Sequence, residues 1–185
     1  MNYIKNIGEK SVKAFENLKN VEHFKIKKVL KEYGFLLKKN KLKILKENSK
    51  DIKKAKRKNL VDRLILNSTK INQIIAGVKI IEKFENPIGK VLSKWKRSNK
   101  LSIEKVSIPI GVICVIYESR PNVTADVAAL SLKSGNSVIL RGGSEAFYTN
   151  KILANLFRKA LKKNKIDENC VQFIEKKDRR IVDFI

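Results

Sequence analysis

Apolar positions in the first 86 residues recur every three to four places, the spacing that gathers them on one side of a helix. Ile4, Ile7, Phe15 and Leu18 mark one stripe, and Ile26, Val29, Leu30, Tyr33, Leu36 and Leu37 a second. Leu42, Leu45, Ile52 and Ala55 mark a third. A short segment from Leu60 to Leu66 leads to Ser68-Thr69, whose hydroxyls suit the start of a helix striped by Ile71, Ile74, Ile75, Val78 and Ile81. Each stripe reads as core packing, and none is assigned chemistry.

The period drops to two after Asn86-Pro87. Val91, Ser93, Trp95 and Arg97 alternate with Leu92, Lys94 and Lys96, and the alternation resumes after Ser98-Asn99-Lys100 as Leu101, Ile103, Lys105 and Ser107. This predicts a hairpin over 89–108 that reaches out to another subunit or subdomain. From Pro109 the pattern changes once more. Gly111 to Tyr117 is a continuous β-branched run, as in a strand buried on both faces of a parallel sheet. A helix is expected from about Thr124 to Ser134, with Thr124 as its N-cap, Asp126 in its first turn and Gly135 as its stop. A second strand follows at Ser137 to Leu140, then a tight Arg141-Gly142-Gly143 loop. Ser144 caps a long helix that buries Ile152, Leu153, Leu156, Phe157, Ala160 and Leu161, and a third strand runs from Cys170 to Ile174. Strands alternating with helices in this way define a parallel α/β sheet with right-handed crossovers. Asp178 is expected to open one more helix, whose apolar Ile181, Val182, Phe184 and Ile185 have nothing to cover them, so the chain is expected to stop before the domain is complete.

Composition narrows the function classes. A formal charge of +24 would favour a nucleic-acid partner, but 34 of the 42 cations are Lys and only 8 are Arg, the planar group that reads phosphates and base edges. The lysines are spread over nearly every helix, as solvated faces are, which leaves a basic nucleic-acid-binding module as the alternative class. No run approaches the roughly 18 to 20 apolar residues of a membrane span. The N-terminal MNYIKNIGEKSVKAF lacks an apolar signal core, which points to a cytoplasmic protein. Cys114, Cys170 and the single His23 make no metal cluster. Cys114 lies in the apolar run GVICVIY and is expected to be a small buried hydrophobe with a raised thiol pKa.

Two loops fall at the carboxyl ends of neighbouring parallel strands, where open α/β sheets bind ligands. The first is Glu118-Ser119-Arg120-Pro121-Asn122-Val123-Thr124. Asn122 immediately precedes a helix start, so its amide and the positive dipole end converge where an acyl oxygen could gain charge. An asparagine that merely makes a turn satisfies the same spacing. The second loop is Arg141-Gly142-Gly143-Ser144-Glu145. Its glycines permit close backbone approach, Ser144 offers a hydroxyl and Arg141 could pair with a phosphate, which together suit the ribose side of NADP. No G-x-G-x-x-G fingerprint occurs.

The string IPIGVICVIYESRPNVTADVAALSLKSGNSVILRGGSEAFYTN closely resembles the gamma-glutamyl phosphate reductases of the aldehyde dehydrogenase superfamily, through the motifs YESRPNVT and SGNSVILRGGSEA. A weaker likeness extends to Lys50-Asp51-Ile52, Asp62-Arg63-Leu64 and Asp178-Arg179. The resemblance implies an aldehyde-dehydrogenase-like α/β fold with three parts. Residues 1–88 would be the helical part of the cofactor-binding domain, 89–108 an oligomerisation arm, and 109–185 an incomplete Rossmann-like NADPH-binding sheet. It implies NADPH-dependent reduction of L-glutamyl 5-phosphate to L-glutamate 5-semialdehyde and phosphate, the second step of proline biosynthesis, with a functional link to glutamate 5-kinase. In such enzymes a cysteine thiolate attacks the acyl phosphate, and hydride then reduces the thioester. Asn122 matches the oxyanion-stabilising asparagine, and Arg141, Ser144 and Glu145 match the loop beside the adenosine ribose. The small Ser144 leaves room for a 2′-phosphate. The nucleophilic cysteine of the family matches neither Cys114 nor Cys170, so the 185-residue chain is expected to lack reductase activity by itself. Another aldehyde dehydrogenase acting on a different acyl or aldehyde substrate is the closest alternative.

Overall fold

In the computed structural model, which describes residues 2–55, 61–176 and 178, helices build the first part of the chain and a parallel sheet the second. Helix α1 (Asn2–Leu18) buries Ile7, Ser11, Ala14 and Leu18. Helix α2 (His23–Lys39) buries the expected Ile26, Val29, Leu30, Tyr33 and Leu37. Helix α3 (Lys41–Lys54) departs from expectation: it buries Ile44, Asn48 and Asp51, while Leu42 is 83% exposed. Its hidden stripe keeps helical spacing but is mostly polar, so hydrophobic periodicity misses it. After α4 (Val61–Leu64) comes α5 (Ser68–Lys83). Its cap is Asn67, one residue before the expected pair, with the Asn67 side chain accepting from the Lys70 amide at 2.8 Å.

Strands β1 (Val91–Lys96) and β2 (Ser102–Val106) form the expected antiparallel hairpin, with Trp95 opposite Ile103. Lys100 at its tip takes a φ of 62°. The hairpin stands clear of the core, with Leu92, Trp95 and Leu101 all exposed.

The sheet is parallel, in the order β3 (Val112–Tyr117), β4 (Ser137–Gly142), β5 (Val171–Phe173). The crossovers between these strands are α6 (Pro121–Lys133) and α7 (Phe147–Lys163). Both pack on one face of the sheet, with α2, α3 and α5 outside them and α1 on the opposite face. Tyr33 of α2 and Phe157 of α7 meet at 4.6 Å between ring centroids in the middle of this stack, a pair worth about 0.5–1.5 kcal/mol beyond its burial. Gly135 ends the α6 region with a φ of +71°, and a Cβ there would lie 3.0 Å from Pro109. Only glycine fits that turn.

Several expectations shift. Strand β3 is not buried on both faces: it is one of the two outer strands among the three described, with Cys114 exposed and Ile116 55% exposed. Helix α1 covers the centre of the sheet, where Ile7 meets Ile139 and Ile174, and reaches the start of β3 at Val112. Helix α6 starts at Pro121, not Thr124, so Asp126 lies beyond its first turn and Thr124 is fully buried inside it. Proline at the first helical position was a readable signal. Arg141 and Gly142 extend β4 instead of forming a loop. Ser144 opens a single 3-10 turn, and α7 begins three residues later. The helix expected after Asp178 lies outside the described residues, and Asp178 itself has no regular structure.

Candidate functional site

The carboxyl ends of β3 and β4 carry the two predicted loops, and the fold brings them together. Ser119, 5% exposed, donates from its hydroxyl to Glu145 Oε2 at 3.0 Å, and Ser144 Oγ donates to the same oxygen at 3.2 Å. One carboxylate thus ties loop to loop. Behind it runs a hydrogen-bonded chain: Thr124 Oγ1 donates to Asn150 Oδ1 at 3.0 Å and lies 2.7 Å from the Tyr117 hydroxyl, which donates into it. This chain joins the end of β3 to α6 and α7. Burial of the Tyr117 phenol pushes its pKa up to about 12, against the lowering effects of the Thr124 bond and the Arg141 charge, so it stays a neutral donor.

The glycines serve this close approach. A Cβ on Gly143 would sit 2.6 Å from Ser119 Oγ, and one on Gly142 would meet the Tyr117 ring at 3.1 Å and run into the Asn150 amide. They let the two loops touch each other, a different use from the ligand approach expected of them. Arg141 is 7% exposed, and its guanidinium donates to the Gly142 carbonyl. Pairing with a cofactor phosphate therefore requires that side chain to swing outward.

The start of α7 is not open to an anion either. Asp51, 2% exposed on α3, accepts from the Tyr148 amide at 3.0 Å and the Thr149 amide at 2.8 Å, and from the Thr149 hydroxyl at 2.6 Å. A carboxylate from a distant helix caps α7, where no local side chain does. Asn48, one turn earlier on α3, donates to Thr149 Oγ1 and the Leu64 carbonyl and accepts from the Leu66 amide. Neither residue was given this capping role from the sequence, because the Tyr148 and Thr149 they meet on α7 lie about a hundred positions away.

Asn122 is exposed in the first turn of α6, not before it, and its Nδ2 donates to Asp126 Oδ2 at 3.2 Å. It opens onto a cleft of about 460 Å³ between α5 and the start of α6. Desolvation raises the Asp126 carboxyl above its ordinary pKa, partly offset by the Asn122 bond. Neither thiol is an activated nucleophile. Partial burial raises the pKa of the Cys114 thiol as expected, although the side chain is exposed, and full burial pushes Cys170 to about 12. Among the described residues no group of three His, Cys, Asp or Glu could hold a metal, and no helix is long and apolar enough to cross a membrane.

A parallel sheet with helices on both faces and two joined loops at its carboxyl end is an open α/β arrangement, and solved aldehyde dehydrogenases share it. An aldehyde dehydrogenase from Bacillus subtilis superposes with a TM-score of 0.71 at 16% identity, over 95% of this chain and 36% of that one, which establishes the fold. A glyceraldehyde-3-phosphate dehydrogenase from Methanocaldococcus jannaschii, crystallised with NADP, superposes at 0.69 with 18% identity, over 94% of this chain and 36% of that one. No family model matches the sequence. Gamma-glutamyl phosphate reductase from Leptospira interrogans is 45% identical over 181 residues, 96% of this chain and 44% of that protein. The crystal structure of gamma-glutamyl phosphate reductase from Thermotoga maritima superposes with a TM-score of 0.90 at 39% identity, over 96% of this chain and 44% of that one. The chain belongs with the gamma-glutamyl phosphate reductases, as the counterpart of their N-terminal portion. It spans less than half the length of the relatives it matches.

Proposed function

We propose that this chain supplies the oxyanion and ribose loops of an NADPH-dependent reductase that converts L-glutamyl 5-phosphate to L-glutamate 5-semialdehyde and phosphate. The observation that carries the reading is the joining of Asn122's loop to the Ser144-Glu145 loop through Ser119, in a chain 45% identical to a reductase of that name. The residues present fit the ribose end of the cofactor: Ser144 is exposed, small and hydroxylated, and Glu145 presents a carboxylate beside it. NADPH, when bound, supplies hydride to the acyl carbon. Asn122 holds the oxygen on which negative charge develops, since its amide has a second hydrogen beyond the one given to Asp126. Arg141, Gly142 and Gly143 act behind Ser144 and Glu145, by fixing the end of β4. The thiolate that displaces phosphate in such reactions comes from neither Cys114 nor Cys170, whose thiols are both raised in pKa.

The exposed apolar hairpin of β1 and β2 fits an arm that pairs with another copy, so the working enzyme is a homo-oligomer. The cofactor assignment is tested by ligand-observed NMR on the chain with NADPH and NADH. NADPH binds more tightly, and Ser144→Glu removes the preference by placing an acid against the 2′-phosphate. Equal binding of the two nucleotides by the unaltered chain contradicts the assignment.

A further inference from the structure

The cleft in front of Asn122 has a charge pattern that the oxyanion role alone does not use. Three cations line it, Arg63, Lys70 and Arg120, together with a single carboxylate, Asp126, for a formal balance of two positive charges. We propose that this cleft recognises the substrate itself, an amino-acid acyl phosphate, by its two anionic ends and its ammonium group; the proposal rests on the function given above and names that site's substrate determinants. L-Glutamyl 5-phosphate carries a phosphate, a carboxylate and an ammonium, and a net charge of about −2 near neutral pH. The cleft and the ligand are complementary in sign, number and kind of group. A volume of about 460 Å³ lies within the ordinary range for small-ligand pockets.

The cations are held differently, and each arrangement leaves capacity for a ligand. Lys70 donates to the Ile65 carbonyl at 2.7 Å and lies 3.4 Å from the Asp62 carbonyl, which pins its ammonium at the cleft wall. Arg63 pairs with Glu118 at 3.4 Å, but both side chains are at least half exposed, so the pair is weak and exchanges readily for a ligand anion. Arg120 makes no side-chain hydrogen bond or ion pair among the described residues. Guanidinium groups present paired N–H donors in a plane, the geometry that carboxylate and phosphate oxygens accept. Asp126 is half-buried and oriented by Asn122, so it can take the ammonium while the same asparagine's free N–H faces the acyl oxygen. Arg63, Arg120 and Asp126 are therefore specificity determinants placed around the reacting group. Their attachment is indirect: the Leu64–Leu66 segment that follows Arg63 is fixed by Asn48, next to the Asp51 cap of α7.

The test is an NMR titration of the isotope-labelled 185-residue chain with three probes. The first is a hydrolysis-resistant isostere of L-glutamyl 5-phosphate in which CH2 replaces the bridging oxygen between the acyl carbon and phosphorus. The second is the same compound without its amino group, and the third is inorganic phosphate. The isostere shifts the Arg63 and Arg120 guanidinium and Asn122 amide signals, and binds more tightly than the other two probes. Arg120→Gln weakens the isostere about tenfold, the loss of one charge-assisted contact. Asp126→Asn abolishes the preference for the amino compound. Unmoved cleft signals, phosphate binding as tightly as the isostere, or unchanged affinity in both variants would overturn the proposal. NADPH binding measured on the same samples separates the two readings. If it persists while the cleft fails, only the substrate assignment falls; if it is absent while the isostere occupies the cleft, the cofactor assignment falls and the cleft stands.

Discussion

Replacing Asp51 with alanine removes the acceptor of three hydrogen bonds at a site 2% exposed. The Thr149 hydroxyl can rotate toward another acceptor, but the Tyr148 and Thr149 amides are fixed by the helix. Each stranded backbone donor costs about 1–3 kcal/mol, and loss of a negative charge at the start of α7 adds up to about 1 kcal/mol. The expected destabilisation is about 3–5 kcal/mol, a large share of the stability of a domain this size. Asp51→Asn keeps an acceptor oxygen of the same shape but loses the charge and turns an N–H toward other donors, so it costs about 1–2 kcal/mol. Urea denaturation followed by far-UV circular dichroism measures both, with the slope unchanged if only the folded state is affected. Glu9→Ala, on an exposed pair of α1, serves as control and stays within about 0.5 kcal/mol. An Asp51→Ala loss below about 1 kcal/mol, or equal losses for alanine and asparagine, would refute the idea that this carboxylate is the cap of α7.

Gly142→Ala places a methyl group against the Tyr117 ring and the Asn150 amide, and is expected to cost about 1–3 kcal/mol in thermal or urea unfolding; a neutral result would mean that the loops are not packed as described. In the native chain iodoacetamide labels Cys114 and spares Cys170, as read by peptide mass spectrometry, and Cys114 labelling keeps rising above the usual thiol pKa because burial raises it. Comparable labelling of both cysteines in the folded protein would contradict the packing of Cys170 under α1. His23 lies 3.2 Å from the Lys133 ammonium, and burial followed by the Lys133 and Lys27 charges lowers its pKa below 6.5. The folded state therefore binds fewer protons than the unfolded chain, and stability present above pH 6.5 is lost as pH falls toward the folded value. The single imidazole makes this measurable by NMR titration; a folded midpoint at or above 6.5 would exclude the contact.

The stripes of α2 and α5 were legible because the core they face is apolar, and the hairpin because its alternation and turn residues agree. Helix α3 was misread for the opposite reason. Its inward positions are Asn48 and Asp51, polar residues buried only because Thr149, Tyr148 and Leu66 satisfy them from elsewhere in the chain. No local pattern announces a partner so remote. At the candidate site, the order of strand, loop and helix brought Asn122, Ser144 and Glu145 into view. The residues that hold those loops in register, Tyr117, Ser119, Thr124 and Asn150, stayed unrecognised, since a tyrosine at a strand end or a threonine within a helix has many uses. The exposure of Cys114 and Ile116 on β3 was equally hidden, because an apolar run does not say which helices cover it.

The charge of the chain takes on a more local meaning once the arginines are placed. Lysines such as Lys5, Lys13 and Lys38 stand on exposed helix faces, where an ammonium on a flexible stem is cheaply hydrated. Arginine is scarce, yet Arg63 and Arg120 share one cleft and Arg141 ends the neighbouring strand. On the proposed function the forked donors of the cleft, Arg63 and Arg120, fix anionic groups in orientation, while those lysines are hydrated on open helix faces. The same economy explains the buried polar network. On the proposed function the two loops must keep a mutual position set by substrate and cofactor, and the Ser119–Glu145 bond together with the Tyr117–Thr124–Asn150 chain joins them at the carboxyl end of the sheet. An apolar contact there would stabilise the fold without fixing the distance between Asn122 and Ser144; directional bonds do both.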